Sequence, residues 1–260
     1  MVENHLKDFV RWSVALMFIG VLTACGRPSQ EASAPASAPV IAAAPSTPPS
    51  AVAPLATKQE WLAAVNGVYT KTDTKPDDEG VVEFMACFES GTPKCSLRSW
   101  GKRDEFRKVS HFTPVQSSFV KYRNEPYLHS YVALVDCTTP NILLNPRFKG
   151  DSWMFMTKVA VMADGELVLE QDVTNPPVQR DTYPGLVEES GTWIASDADL
   201  EALRKIAAAK AVVVRLSGEK GYVTVGKKLM ASFQEDVRDA LAIHDKLLKA
   251  AETRLPAACK

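Results

Sequence analysis

Apolar and polar positions follow three different rhythms along this chain. From Trp12 to Leu22 the residues are mostly apolar without a break, a run of eleven. That is the length of a secretion-signal h-region and too short for the ~20 residues a membrane-spanning helix needs. From 27 to 56 there is no period at all, only seven Pro, ten Ala and five Ser with Arg27 and Glu31 as the charges. Such a stretch buries too little to fold and favours extended polyproline geometry, reaching roughly 90 Å at ~3.1 Å per residue. From Thr57 onward apolar residues recur every two or every three to four positions, as strands and helices require.

Within that third region, Thr57-Lys58-Gln59-Glu60 is a capping-box pattern, and Trp61, Leu62 and Val65 continue it as a short helix. Val81 to Phe88 reads as a strand, Ser90-Gly91-Thr92-Pro93 as its turn and Cys95 to Trp100 as the return. The mixed charges from Trp100 to Arg107 suggest a loop or short helix. Phe119 to Arg123 and Tyr127 to Cys137 are expected as strands, and Thr138-Thr139-Pro140-Asn141 breaks the chain. Asp164-Gly165 suits a two-residue type I′ turn, which would pair Met162 with Leu167, Val161 with Val168 and Ala160 with Leu169. All six are apolar, so both faces of that hairpin are expected to be covered.

A strand is expected within 186–194. Ser196 opens a helix with Asp197 and Asp199 at its positive end and Leu200, Leu203, Ile206 and Ala207 on one side. A Val-rich hairpin follows, turning at Ser217 to Gly221. Ser232-Phe233-Gln234-Glu235 is a second capping box, predicted to start a long helix with Phe233, Val237, Ala240, Leu241, Leu247 and Leu248 inward. Strands followed by helix, hairpin and helix indicate an α+β fold, an antiparallel sheet with flanking helices, over 57–260. The break near 138–150 offers an internal boundary.

Composition narrows the function classes. The 260 residues are 46% hydrophobic and 23% charged with a net charge of −1, and loss of 1–24 removes two charges of each sign. A near-neutral chain has no electrostatic footprint for nucleic acid.

The apolar run ends in Leu22-Thr23-Ala24-Cys25, which resembles the lipobox of bacterial lipoproteins. The resemblance implies a signal peptide over 1–24, cleavage before Cys25, lipid on that cysteine, and 25–56 as the tether of a globular domain. Gly26, rather than Asp, implies delivery to the outer membrane, facing the periplasm. Residues 141–250 also resemble parts of other bacterial envelope domains, a likeness that brings no activity with it.

With Cys25 assigned to lipid, Cys87, Cys95, Cys137 and Cys259 remain, and four cysteines allow three connectivities. A three-residue loop at Ser90-Gly91-Thr92 would set Cys87 opposite Cys95, at the separation of a disulfide. Cys137–Cys259 would follow by elimination, and buried thiols are the alternative for all four.

Catalytic signatures are sparse. His111, His129 and His244 have no partner at ligand spacing, so no metal and no cofactor are expected; His244 falls on an apolar helix stripe. Cys137 as a thiol nucleophile with His129 or His111 ranks below a bridge or a core cysteine. Glu188-Glu189 is expected on a solvated surface, and Gly218-Glu219-Lys220-Gly221 as a hairpin turn. Phe119, Tyr122, Arg123, Tyr127 and Tyr131 gather residue types favoured at interfaces, in a composition that strand packing also explains. The function expected is non-enzymatic: a lipid-anchored binding domain with a protein partner in the envelope, as a complex component or an inhibitor or immunity protein. The alternative is a periplasmic hydrolase with dispersed catalytic residues.

Overall fold

The computed structural model describes residues 57–73, 76–89, 95–115 and 124–253. Cys25, Cys259, the signal and tether segments and the aromatic stretch 119–123 lie outside them. The fold is α+β, with two antiparallel sheets and three helices among the described residues.

Helix α1 (Lys58–Asn66) begins as the sequence predicts. The Glu60 amide donates to the Thr57 hydroxyl at 3.2 Å and the Thr57 amide to the Glu60 carboxylate at 2.7 Å. Strands β1 (Thr70–Asp73), β2 (Val81–Cys87), β3 (Arg98–Asp104), β4 (Val109–Pro114), β5 (Tyr127–Val135) and β6 (Asn141–Gly150) then form a meander. The larger sheet is completed beyond β6 by β10 (Leu186–Ser190) and β9 (Gln179–Tyr183), with β11 (Trp193–Ile194) also on β6. The smaller sheet runs β13 (Gly221–Thr224), β12 (Val212–Gly218), β7 (Met156–Ala163), β8 (Glu166–Asp172). Helices α2 (Asp197–Ala208) and α3 (Lys227–Glu252) complete the set.

The stretch after Trp100 is therefore strand, not loop or helix: β3 runs on to Asp104, with Lys102, Arg103 and Asp104 half-buried and paired with His111, Ser110 and Val109 of β4. Gly101 lies opposite Phe84, and a Cβ there would overlap the Phe84 ring. That contact fixes the β2–β3 register with Cys87 opposite Arg98. The expected register, with Cys87 opposite Cys95, is off by three residues. The Cys87–Cys95 disulfide nevertheless forms just beyond the ladder, with 5.9 Å between Cα atoms. Residues 90–94 lie outside the described ones.

The internal break proposed at 138–150 coincides with β6, an inner strand paired on both sides. Pro146 hid it. Proline has no N–H to give a ladder, but here it sits opposite the gap between β10 and β11, where its carbonyl accepts from the Gly191 amide at 3.1 Å.

At the 164–165 turn, Asp164 and Gly165 have φ of 51° and 88°, as a type I′ turn requires. Met162 pairs with Leu167 as expected, but a bulge shifts the rest, so that Val161 faces Leu169 and Ala160 faces Glu170. Met162 and Leu167 are exposed, so the hairpin is not covered on both faces.

Helix α2 starts at the Ser196 capping box with Asp199. Its last carbonyls are taken up by α3: Gln234 donates to Ile206 and Ala209 at 3.0 and 2.6 Å, and Arg238 to Ala207 at 2.8 Å. Helix α3 begins six residues before the expected cap, at Gly226. Ser232 lies inside it and donates to the Lys228 carbonyl. Phe233, Val237, Ala240, Ile243, Leu247 and Ala251 are buried, because α3 packs on β4, β5 and β6, on β12 and on both other helices.

Glu189 joins the two sheets. Its carboxylate, fully buried on β10, accepts the amides of Met154, Phe155 and Met156 at 2.6, 2.8 and 2.7 Å, where the chain enters β7. Carbonyls of Met154 and Phe155 accept in turn from Lys220 and Glu219 beyond β12. Glu188, one residue earlier and on the opposite face, pairs with Arg147 and with Lys149. Neither glutamate is on the solvated surface expected for them. Strand alternation sends the pair to two buried environments, each with its own donors.

Glu189→Ala leaves three amides without their acceptor, two of them buried. We expect it to lower unfolding free energy by at least about 3 kcal/mol, measured by urea denaturation. A loss under about 1 kcal/mol would mean that water replaces the carboxylate.

Candidate binding face of the large sheet

The large sheet has two unlike faces. Leu128, Val132 and Leu134 of β5, Ile142 and Leu144 of β6 and Phe112 of β4 point to the core side, where α3 packs. The intervening residues of the same strands point the other way. Ladder pairing aligns Ile194 with Leu143 and Leu143 with Tyr131, and two strands on, Trp100 with Met85. On β4, between the two groups, Thr113 stands opposite Trp100, and the His111 ring lies 5.7 Å from that of Tyr131. An apolar and aromatic band thus crosses the sheet from β11 to β2. Trp100 is 46% exposed and Ile194 62%, while Leu143, Tyr131, His111 and Met85 are half-buried. Val135 adds another exposed apolar side chain further along the same face.

Beside the band a polar network pins β6 to the stretch between β10 and β11. Asn145 donates to the Gly191 carbonyl at 2.5 Å and to the Thr192 hydroxyl at 2.9 Å, while its own oxygen accepts from His129 Nε2 at 2.8 Å. His129 therefore carries its proton on Nε2, and its buried Nδ1 has no partner. Its ring lies between Tyr127 and Tyr131, with centroids at 5.5 and 5.7 Å. Burial drives the His129 pKa down to about 4, outweighing the hydrogen bond that His129 donates to Asn145. Burial likewise raises the Tyr131 hydroxyl to about 12 against its hydrogen bond with Thr192, and lowers His111, helped by the Lys102 charge.

Of the five residues singled out as a partner surface, Phe119, Tyr122 and Arg123 lie outside the described residues. Tyr131 stands in the apolar band. Tyr127 is only 3% exposed: its hydroxyl accepts from Arg147 at 2.9 Å, and that guanidinium lies over its ring. Sequence reasoning missed Trp100, Met85, Leu143 and Ile194, which lie on four other strands. Only the register gathers them.

The three described histidines are dispersed. His111 and His129 sit on this face, and His244 is buried on α3 beside Asp245 at 3.1 Å. Among the described residues no three of His, Cys, Asp and Glu converge as a metal site, and no helix is long and apolar enough to cross a membrane. Cys137, in the turn after β5, is disulfide-bonded and so offers no thiol nucleophile. Compared with protein-family models, with curated proteins and with solved structures, the chain finds no match in any of the three.

A neutral buried histidine makes the fold acid-sensitive. The folded His129 binds its proton near pH 4 and the unfolded one near 6.5, so its contribution is present above pH 6.5 and is lost as pH falls to 4. Asp239, pushed up to about 6 by burial and then by the Glu235 charge, works in the opposite direction over a similar window. The difference between wild type and His129→Gln isolates the histidine. Wild type should lose about 3 kcal/mol relative to the variant between pH 7 and pH 4, read from urea unfolding at both. A pH-independent difference would show that His129 titrates normally.

Proposed function

We propose that this chain is a lipid-anchored protein of the bacterial cell envelope, held at the outer membrane and facing the periplasm. Its domain binds another protein rather than turning over a substrate. Lipid on Cys25, after cleavage of residues 1–24, would anchor it, and 25–56 would act as the tether. The reading rests on the band formed by Ile194, Leu143, Tyr131, Trp100 and Met85. A sheet face with a tryptophan, a tyrosine and aliphatic groups in line offers the residue types on which protein interfaces concentrate their energy. A second protein with a flat apolar surface is the occupant it suits. The Cys87–Cys95 disulfide supports an oxidising compartment. Tethering would raise the effective concentration of the face for partners within its reach. A component of an envelope complex and an inhibitor or immunity protein would both use such a face, by assembly or by occlusion.

Two measurements test the two halves of this reading. Cys25→Ser should move the protein from the membrane to the soluble fraction of lysed cells, and unchanged membrane association would overturn the anchor. A photo-crosslinking residue placed at Trp100 should trap one protein in living cells, whereas the same residue at Glu201, on α2, should not. Ile194→Glu, on an exposed position, should abolish that adduct without lowering Tm. Adducts of equal yield from both positions, or an adduct indifferent to Ile194→Glu, would overturn the binding face.

A further inference from the structure

On the core side of the large sheet, where α1 meets β1, β2 and β3, lies a cleft of about 370 Å³. Arg103, Lys58, Lys71 and Lys108 line it, against the two carboxylates Asp136 and Glu105. The surplus of two positive charges stands out in a chain whose net charge is −1. Asp136 fixes the floor. It takes both terminal nitrogens of Arg103, at 3.0 and 3.2 Å, and the Lys58 ammonium at 3.2 Å. Burial works to raise the Asp136 carboxyl, but the bonds and charges of Arg103 and Lys58 outweigh it and hold it below the usual carboxylate range. Arg103 also donates through Nε to Glu105 at 2.8 Å, and one of its terminal nitrogens donates to the Ser110 hydroxyl at 3.2 Å. The guanidinium is thus locked in one orientation, as a preorganised anion site requires.

Lys58 and Lys108 are less committed. Lys58 spends one contact on Asp136 and Lys108 one on Glu105 at 3.3 Å, and an ammonium has three N–H donors. Both side chains are about half exposed. The remaining wall is apolar and aromatic: Leu62 from α1, with Tyr69 and Phe84 stacked at 6.1 Å and 11°. Lys71 sits over the Phe84 ring at 5.4 Å.

We propose that this cleft binds a phosphate-bearing ligand, with the phosphate between Lys58, Lys108 and Arg103 and an apolar portion along Leu62, Tyr69 and Phe84. Two carboxylates against four cations favour an anion that carries close to two charges and several acceptor oxygens, which a phosphate monoester supplies. A single carboxylate matches the surplus less well. The ligand is either a soluble phosphomonoester or a phosphate headgroup at a membrane surface, and the chemistry is shared. The inference depends neither on the lipid anchor nor on the opposite face of the sheet.

The test uses the full chain carrying Cys25→Ser. Phenyl phosphate, followed by titration calorimetry, should bind, and inorganic phosphate should raise Tm above a chloride solution of matched ionic strength. Lys58→Met with Lys108→Met should weaken phenyl phosphate about tenfold or more, through the loss of two charge-assisted contacts. Lys71→Met should weaken it separately. The double variant Lys158→Met with Lys205→Met removes equal charge from lysines paired elsewhere, with Glu170 and Glu166, and should bind as wild type. Absence of phenyl phosphate binding, equal Tm in phosphate and chloride, or equal weakening in the two double variants would each overturn the site. Vesicles with phosphatidic acid in phosphatidylcholine then identify the source. Retention on them that phenyl phosphate displaces supports a lipid headgroup, and phenyl phosphate binding without such retention supports a soluble phosphomonoester.

Discussion

The arrangement of the two sheets depends on one buried carboxylate. Removing Glu189 from water costs several kcal/mol, and the protein offsets this with three successive backbone amides, at 2.6–2.8 Å. Three amides can converge on one group only if the chain curls. Phe155, at their centre, has a φ of 55°, in the left-handed region. Carbonyls of the same curl are held from the other side by the turn after β12. A single side chain thus sets where β10 of one sheet stands against β7 and β12 of the other.

Helix α3 fills the space that this arrangement leaves. It touches both sheets and both other helices, so it must be apolar over more than one stripe. Its cover goes to one face of the large sheet only. The two faces consequently follow different rules. One is closed by Val132, Ile142 and Leu144 against the helix. The other keeps its aromatic and aliphatic residues at the surface, interrupted by the polar knot of His129, Asn145 and Thr192.

What the sequence revealed was local. Thr57 with Glu60 and Ser196 with Asp199 begin helices as their spacing predicts, and Asp164-Gly165 turns its hairpin, because each signal acts within four residues. What it hid was decided at a distance. The α+β class with antiparallel strands was legible, but β6 was not, since Pro146 is tolerated only where β10 gives way to β11. The glutamates at 188 and 189 looked solvated because their partners are at 147, 149 and 154–156. The candidate face was legible through Tyr131 alone. Its neighbours in space come from β2, β3, β6 and β11, and the cleft draws on residues between 58 and 136 for the same reason.

The disulfide carries a consequence for how the chain matures. Cys87 and Cys95 meet just beyond the end of the ladder, and the ladder's alignment is set by Gly101 under the Phe84 ring. A slipped strand would bring a side chain onto that ring in place of Gly101, while a register that set Cys87 opposite Cys95 would still leave the two sulfurs within reach of each other. The disulfide therefore closes a hairpin whose alignment comes from Gly101 and Phe84 rather than from the sulfurs.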